Sequence, residues 1–218
     1  VLGPLRAAGH EVHAVTLTGD GERAHLIGRA INLRTHIDDV LGLIDAEELR
    51  NVVLVGHSYA GMVITGAADA LLARDDGSLQ RLVYVDAQVP QPGESWSSLH
   101  DAEVQAQREA TAAAHGGALP PADPAVFGLV GADREWLLRR QVPHPFGPYR
   151  DALPYDAERL TRVPRHYIAC TQPAFATALA HHARVREMPG WQFTELATGH
   201  CPMVSAPQAL LGVLQTMA

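Results

Sequence analysis

Cysteine is nearly absent: only Cys170 and Cys201 occur among 218 residues, in separate segments. Two thiols so placed make neither a disulfide framework nor a paired-cysteine zinc site. Long apolar runs are missing too. Stretches such as Val52–Val55 and Leu82–Val85 fall far short of the ~20 residues that span a bilayer. No charged start followed by an apolar stretch suggests a secretion signal, so a cytoplasmic protein without a membrane partner is expected. Basic charge is in deficit, with 17 Lys and Arg against 24 Asp and Glu. The basic residues form no stripe or tail, which argues against nucleic acid. No repeat or low-complexity tract is present. What remains is an ordinary globular balance, 47% hydrophobic and 19% charged, in a chain long enough for one sizeable core and short for two. A single domain over 1–218 is expected.

The pattern along the chain alternates. Val1–Ala8 reads as the last turns of a helix that Gly9 terminates. Glu11–Leu17 reads as a strand ended by the turn residues Thr18-Gly19-Asp20-Gly21. Ile37, Val40, Leu41 and Ile44 recur at helical spacing within a helix from about Thr35 to Leu49. Asn51–Val55 and Arg81–Val85 have the β-branched composition of parallel strands covered on both faces, and Ser58 to about Ala73 reads as a buried helix between them. From Pro90 to about Pro164 prolines break the pattern into short pieces, predicting an insertion, a lid over about 90–163, between core segments 1–89 and 164–218. Then follow a strand over His166–Cys170, a helix over Ala174–Val185, a strand over Gln192–Leu196 and a helix over Ala206–Met217. Strands alternating with helices predict an α/β fold with a mainly parallel sheet and helices on both faces.

One motif carries chemistry. Gly56-His57-Ser58-Tyr59-Ala60-Gly61 lies where a buried strand meets a helix, the setting that holds a serine hydroxyl out on a sharp turn. Small residues are needed where strand and helix crowd together, and Gly56 and Ala60 supply them. A serine hydroxyl needs a base that titrates near neutral pH. Of the 12 histidines, His57 adjoins the serine and points elsewhere, while His10, His13, His25, His36, His115, His181 and His182 fall on helices, strand ends or surface loops. His200 stands apart: Ala197-Thr198-Gly199-His200-Cys201-Pro202 follows the last strand, at the carboxyl ends where functional groups of parallel sheets gather. The histidines lack paired ligand spacing, so no metal is expected.

Leu17–Arg23, His36–Val40, Gly56–Met62, Leu82–Pro90 and Gly199–Met203 together resemble the bacterial branch of α/β-hydrolases related to plant hydroxynitrile lyases and salicylate or jasmonate methyl esterases. The resemblance runs through nearly the whole chain. It implies an α/β-hydrolase fold and a cofactor-free Ser-His-acid triad acting on small esters, or in some branches cleaving a carbon–carbon bond. The plant relatives take their acid after the next-to-last strand; here that segment reads Cys170-Thr171-Gln172-Pro173, with no carboxylate. The nearest carboxylate at a suitable strand end is Asp86, with Glu195 and Asp20 as weaker candidates. Expected roles are therefore Ser58 as nucleophile, His200 as base and Asp86 as acid, with the Tyr59 N–H as one oxyanion donor and Trp96 and Trp136 roofing the pocket. Phe127, Phe146 and Tyr149 are further lid aromatics.

The second oxyanion donor normally comes from a loop after an earlier strand, and neither precedes Val1. The chain is thus expected to be a fragment or to carry a displaced start, and a protein that began at Val1 should turn over weakly or not at all. Cys201 stands where some hydroxynitrile lyases have a basic residue, which tilts the expectation toward hydrolysis of a small-molecule ester, in a protein that is a monomer or homodimer. The competing readings are a carbon–carbon lyase using the same serine and histidine, and a catalytically disabled ligand-binding relative.

Overall fold

The computed structural model describes residues 1–217. Helix α1 (Leu2–Ala7) stops where Gly9 takes a φ of +93°, the left-handed position that glycine fills most easily. Helix α2 (Leu33–Ala46) starts from a capping box: Asn32 Oδ1 accepts from the Thr35 amide at 2.9 Å, and Thr35 Oγ1 accepts from the Asn32 amide at 3.3 Å. This pairing satisfies two of the amides that a helix start leaves free. Its Leu33, Ile37, Val40, Leu41 and Ile44 are buried. Strand β1 (Val52–His57), helix α3 (Ala60–Arg74) and strand β2 (Leu79–Val85) follow. Helix α3 is buried over most of its circumference, Met62 and Ala67 completely, because it lies between the sheet and α2.

After β2 come α4 (Ala102–Ala114), β3 (Ala118–Leu119), α5 (Gly131–Leu138), β4 (His144–Pro145) and α6 (Gly147–Arg150). Regular alternation then resumes with β5 (Arg165–Cys170), α7 (Ala176–Glu187), β6 (Trp191–Leu196), α8 (Pro202–Ser205) and α9 (Pro207–Gln215). The main sheet has the order β1-β2-β5-β6 with every pair parallel, and β3 and β4 form a separate antiparallel ribbon. One hydrophobic cluster joins α2, α3 and Val185 of α7 to one face of the sheet. A second joins α9, with Leu5 of α1 packed against it, to Val83, Val85 and Ile168 on the other face. The sheet thus has helices on both faces. Among the described residues no helix is long and apolar enough to cross a membrane.

Two sequence expectations fail at one edge. Glu11–Leu17 is not a strand, because no neighbouring strand among the described residues takes up its amides and carbonyls; extended backbone becomes a strand only when paired. Strand β1 is hydrogen-bonded on one side alone, to β2. Leu54 and Gly56 are buried, but Val55 is 46% exposed, so the cover expected on both faces of β1 is incomplete. The last predicted helix, Ala206–Met217, is α9; the short helix α8 precedes it and is separated from it at Ala206 by Pro207, whose ring cannot continue the preceding turns.

The stretches that carried the family resemblance meet in space. Asp39 accepts from the Thr18 amide (2.6 Å), the Thr18 hydroxyl (2.8 Å) and Arg23 (2.8 Å). His36 donates from Nε2 to the Thr18 carbonyl (3.0 Å) and accepts at Nδ1 from the Tyr59 hydroxyl (2.9 Å). The loop at 17–23, the start of α2 and the start of α3 are thereby fixed to one another.

Candidate active site

Strand β1 runs into α3 through Ser58, whose φ is +54°. Left-handed backbone at a non-glycine residue costs about 1 kcal/mol or more. It is held by hydrogen bonds on both sides: the Ser58 amide donates to the Val85 carbonyl (3.3 Å), and the Ser58 carbonyl accepts from the amides of Gly61 (3.1 Å) and Gln88 (3.0 Å). Glycines permit the approach. A Cβ on Gly56 would lie 2.8 Å from the Ala60 carbonyl oxygen, and one on Gly61 only 2.0 Å from that of Gln88. Gly61 is therefore the more constrained small position, whereas Ala60 carries a methyl without conflict.

Ser58, His200 and Asp86 come together. Ser58 Oγ lies 2.9 Å from His200 Nε2, and His200 Nδ1 lies 2.6 Å from Asp86 Oδ2. A carboxylate only accepts, so Nδ1 carries the ring proton and the lone pair of Nε2 faces the serine hydroxyl. Asp86 sits at the carboxyl end of β2 with a φ of +45°. Burial pushes its carboxyl up, but hydrogen bonds from His182, His200 and the Cys170 amide outweigh that and hold it at about 2. Of the two weaker acid candidates, Glu195 is half exposed and paired with Arg186, and Asp20 is bound to His144 at 2.9 Å.

Three histidines that the sequence reading set aside when choosing the base belong to the site. His182, on α7, is 6% exposed and donates from Nε2 to Asp86 Oδ1 at 2.6 Å, so the carboxylate lies between two imidazoles. His181, beside it, accepts from the Val89 amide at 3.2 Å and lines the cavity above Ser58. His57 does point away from the serine, but its Nε2 donates to the His200 carbonyl at 2.6 Å, holding the histidine loop from below. Burial, then the neighbouring His200, lowers the His57 pKa to about 4. The same loop is held from above by the His200 amide, which donates to the Phe127 carbonyl at 3.1 Å. A side chain at Gly199 would collide with that carbonyl, at 2.6 Å. The signal that would have found His182 is weak: two adjacent histidines on a helix of low apolar content, with no periodicity to say which faces inward.

Above Ser58 lies a cavity of about 850 Å³, within the size range of small-molecule sites. Tyr59, Trp96, Phe127, Tyr149 and Phe175 contribute to its wall. Trp136 does not: it lies 40% exposed on α5, with the Arg140 guanidinium 4.3 Å over its ring, and is not among the lining residues, so its expected place in the pocket is corrected. The α5 helix turns that face outward because none of its residues is buried. Phe146 is buried and does not line the cavity. Cys170 and Cys201 are both free and buried, and burial pushes both thiols up, Cys201 to about 11. Among the described residues no group of three or more His, Cys, Asp or Glu side chains is arranged to hold a metal ion.

The model of the alpha/beta hydrolase family matches residues 1–213. The chain belongs to that family. It is also 39% identical, over 94% of its length and 87% of the relative's, to a carbendazim hydrolyzing esterase of Nocardioides sp. (strain SG-4G). Among solved structures, this α/β-hydrolase is similar to an extracellular α/β-hydrolase from a Paenibacillus species, described as sharing homology with tobacco salicylic acid binding protein 2. The TM-score is 0.77 at 19% identity, over 97% of this chain and 89% of that one. A methylesterase from Arabidopsis superposes with a TM-score of 0.73 at 22% identity, over 99% and 90% of the two chains. The family and the 39% identical esterase support hydrolase activity, and the solved structures show a fold shared with a plant methylesterase.

Proposed function

We propose that this protein is a serine esterase that hydrolyses small carboxylic esters through an acyl-enzyme on Ser58. The observation that carries the reading is the unbroken hydrogen-bonded series from Ser58 Oγ through the His200 ring to the buried Asp86, opening into the cavity. In the first half-reaction Ser58 Oγ attacks the ester carbonyl carbon while His200 Nε2 takes the hydroxyl proton. The Tyr59 amide at the start of α3 donates to the developing oxyanion, and a donor of this kind is worth about 3 kcal/mol of barrier. Collapse of the tetrahedral intermediate breaks the bond to the alcohol oxygen, which receives the proton from His200. In the second half-reaction a water loses its proton to His200, attacks the acyl carbon and releases the acid, restoring Ser58.

Asp86 fixes the tautomer of His200 and stabilises the imidazolium formed in each half. His182 is a positioning residue: by occupying Oδ1 it leaves Oδ2 for His200. The segment 90–163 acts as a lid, since it supplies Trp96, Phe127 and Tyr149 to the cavity wall. The curated relative hydrolyses carbendazim, which makes that compound, beside p-nitrophenyl acetate, the first substrate to try. A carbon–carbon lyase would use the same residues; release of cyanide from mandelonitrile without turnover of either ester would favour it.

The deciding experiment is fluorophosphonate labelling at pH 7 to 8, followed by intact mass. One covalent adduct is expected on the wild type and none on Ser58→Ala, with His200→Ala and Asp86→Asn labelled at least 100-fold more slowly. A folded wild type that takes no label would overturn the reading.

A further inference from the structure

Helix α7 borders the cavity with one face. Thr177, Ala178 and His181 line it at the spacing of one helical turn, and Phe175 at the helix start lines it too. The next residue, His182, faces Asp86, so α7 lies along the acid–base side of Ser58. His181 is 2% exposed. Its Nδ1 accepts from the Val89 amide at 3.2 Å, and in a neutral imidazole the nitrogen opposite an acceptor carries the proton, so Nε2 is an N–H donor. Burial first, and then Arg184, keeps the ring neutral, its pKa lowered to about 4. Among the described residues that N–H has no hydrogen-bond partner. His100 and His144 also carry an unpartnered Nε2, but theirs are sealed from solvent and that of His181 is not. The small surface that His181 keeps therefore opens on the cavity it lines. A buried donor with a fixed tautomer, no partner inside the protein and an open path to the cavity marks a group that meets a ligand.

Its place selects which part of the ester it meets. In the reaction proposed above the carbonyl oxygen faces the Tyr59 amide at the start of α3, and the leaving alcohol oxygen faces His200, which hands it the proton. Phe175, at the start of α7, packs on the His200 ring at 4.3 Å between centroids, and His182 holds the acid of that ring at 2.6 Å. The α7 donor thus lies on the alcohol side. The charged neighbours of His181, Arg184 and Glu94, are paired with each other at 2.6 and 2.9 Å, so the position suits an uncharged acceptor. We propose that His181 Nε2 donates to a second oxygen, an ether or a hydroxyl, carried by the alcohol part of the substrate, and so selects esters of alkoxy or hydroxy alcohols over those of simple alkyl alcohols. The inference rests on the reading of Ser58 as nucleophile, which fixes where the alcohol leaves.

The test compares 2-methoxyethyl benzoate with butyl benzoate, which differ by one ether oxygen and pass through the same benzoyl-enzyme. After division by the ratio of their alkaline hydrolysis rates, wild-type kcat/KM is expected to favour the methoxyethyl ester about fivefold, the size of one neutral hydrogen bond. His181→Leu should bring that ratio below about twofold, and His181→Gln, whose side-chain N–H can still donate, should keep most of it. The absence of a wild-type preference, or a preference that survives in His181→Leu, would overturn the proposal. So would an equal loss on both esters with slower breakdown of the shared benzoyl-enzyme, which would put the N–H on the carbonyl oxygen or the triad. Binding of the two esters to Ser58→Ala, followed by NMR titration, reads the same preference without turnover. Hydrolysis of both esters without the preference sinks the inference and leaves the esterase standing. The preference in Ser58→Ala beside an inert wild type does the reverse.

Discussion

At the scale of single residues, the informative group is His182. Asp86 could turn about its side-chain bonds if only His200 held it; the Cys170 amide and His182 both grip Oδ1, leaving one orientation. Replacing His182 with Leu removes a hydrogen bond to a charged acceptor, and such bonds contribute about 1.5–3 kcal/mol. If about half of that is felt at the transition state, kcat falls roughly tenfold with KM little changed. His182→Gln, whose amide can still donate, should recover most of kcat in steady-state ester hydrolysis. Loss of activity that Gln does not rescue, or a change confined to KM, would show that His182 only fills space. Ser58 and His200 were legible in the sequence because each stands in a loop whose neighbours are small and whose place in the strand order is fixed. Asp86 was reached by elimination among strand-end carboxylates, and the structure sets it against His200. His182, His181 and His57 were not legible, since what distinguishes them is a contact across 90 or more residues. Trp136 shows the opposite error: an aromatic in an apolar stretch looked like pocket wall, but its helix turns outward.

At the scale of elements, the turn between β1 and α3 depends on how closely α3 approaches the backbone that leaves β2. Gly61 sets that approach, with the Gln88 carbonyl 2.0 Å from where a Cβ would stand. Gly61→Ala would ordinarily favour a helix by about 1 kcal/mol, yet here it must drive α3 away from β2. The hydrogen bond from the Gln88 amide to the Ser58 carbonyl then breaks. A net loss of roughly 3 kcal/mol is expected, with ester hydrolysis lost in step, measurable as a lowered urea midpoint and reduced labelling. An unchanged midpoint would mean that the strand–helix contact is looser than its geometry. Most elements were legible because apolar periodicity and glycine or proline punctuation agreed. The exception, Glu11–Leu17, has the alternation of a strand, but strand formation is decided by a partner, and alternation says nothing about whether one is there. The exposure of Val55 has the same cause: composition records what a residue suits, and its actual cover is a property of the assembled sheet.

At the scale of the whole molecule, five buried or half-buried histidines dominate the response to acid. Burial lowers the pKa of His36 and His166, and takes His57, His100 and His181 down to about 4. In the unfolded chain these rings titrate near their ordinary 6.5. Between pH 6.5 and 4 the unfolded state therefore binds protons that the folded state refuses. The stability held by the neutral buried rings is complete above pH 6.5 and is lost progressively as pH falls toward 4. For His181, 2% exposed, the loss amounts to about 3 kcal/mol, and His57 and His100, more open to solvent, add less. Asp86 acts in a lower window: its carboxyl is depressed to about 2 from the usual 3.8. Its contribution is present above 3.8 and disappears only as pH falls through 2. The histidine loss alone is a large part of the 5–15 kcal/mol that holds a typical domain together. Urea titrations at pH 7.5, 6.0 and 4.5 should show the midpoint falling steeply across the series, with His181→Leu flattening the slope. A midpoint that stays constant down to pH 4.5 would mean that these rings are hydrated or charged in the folded protein.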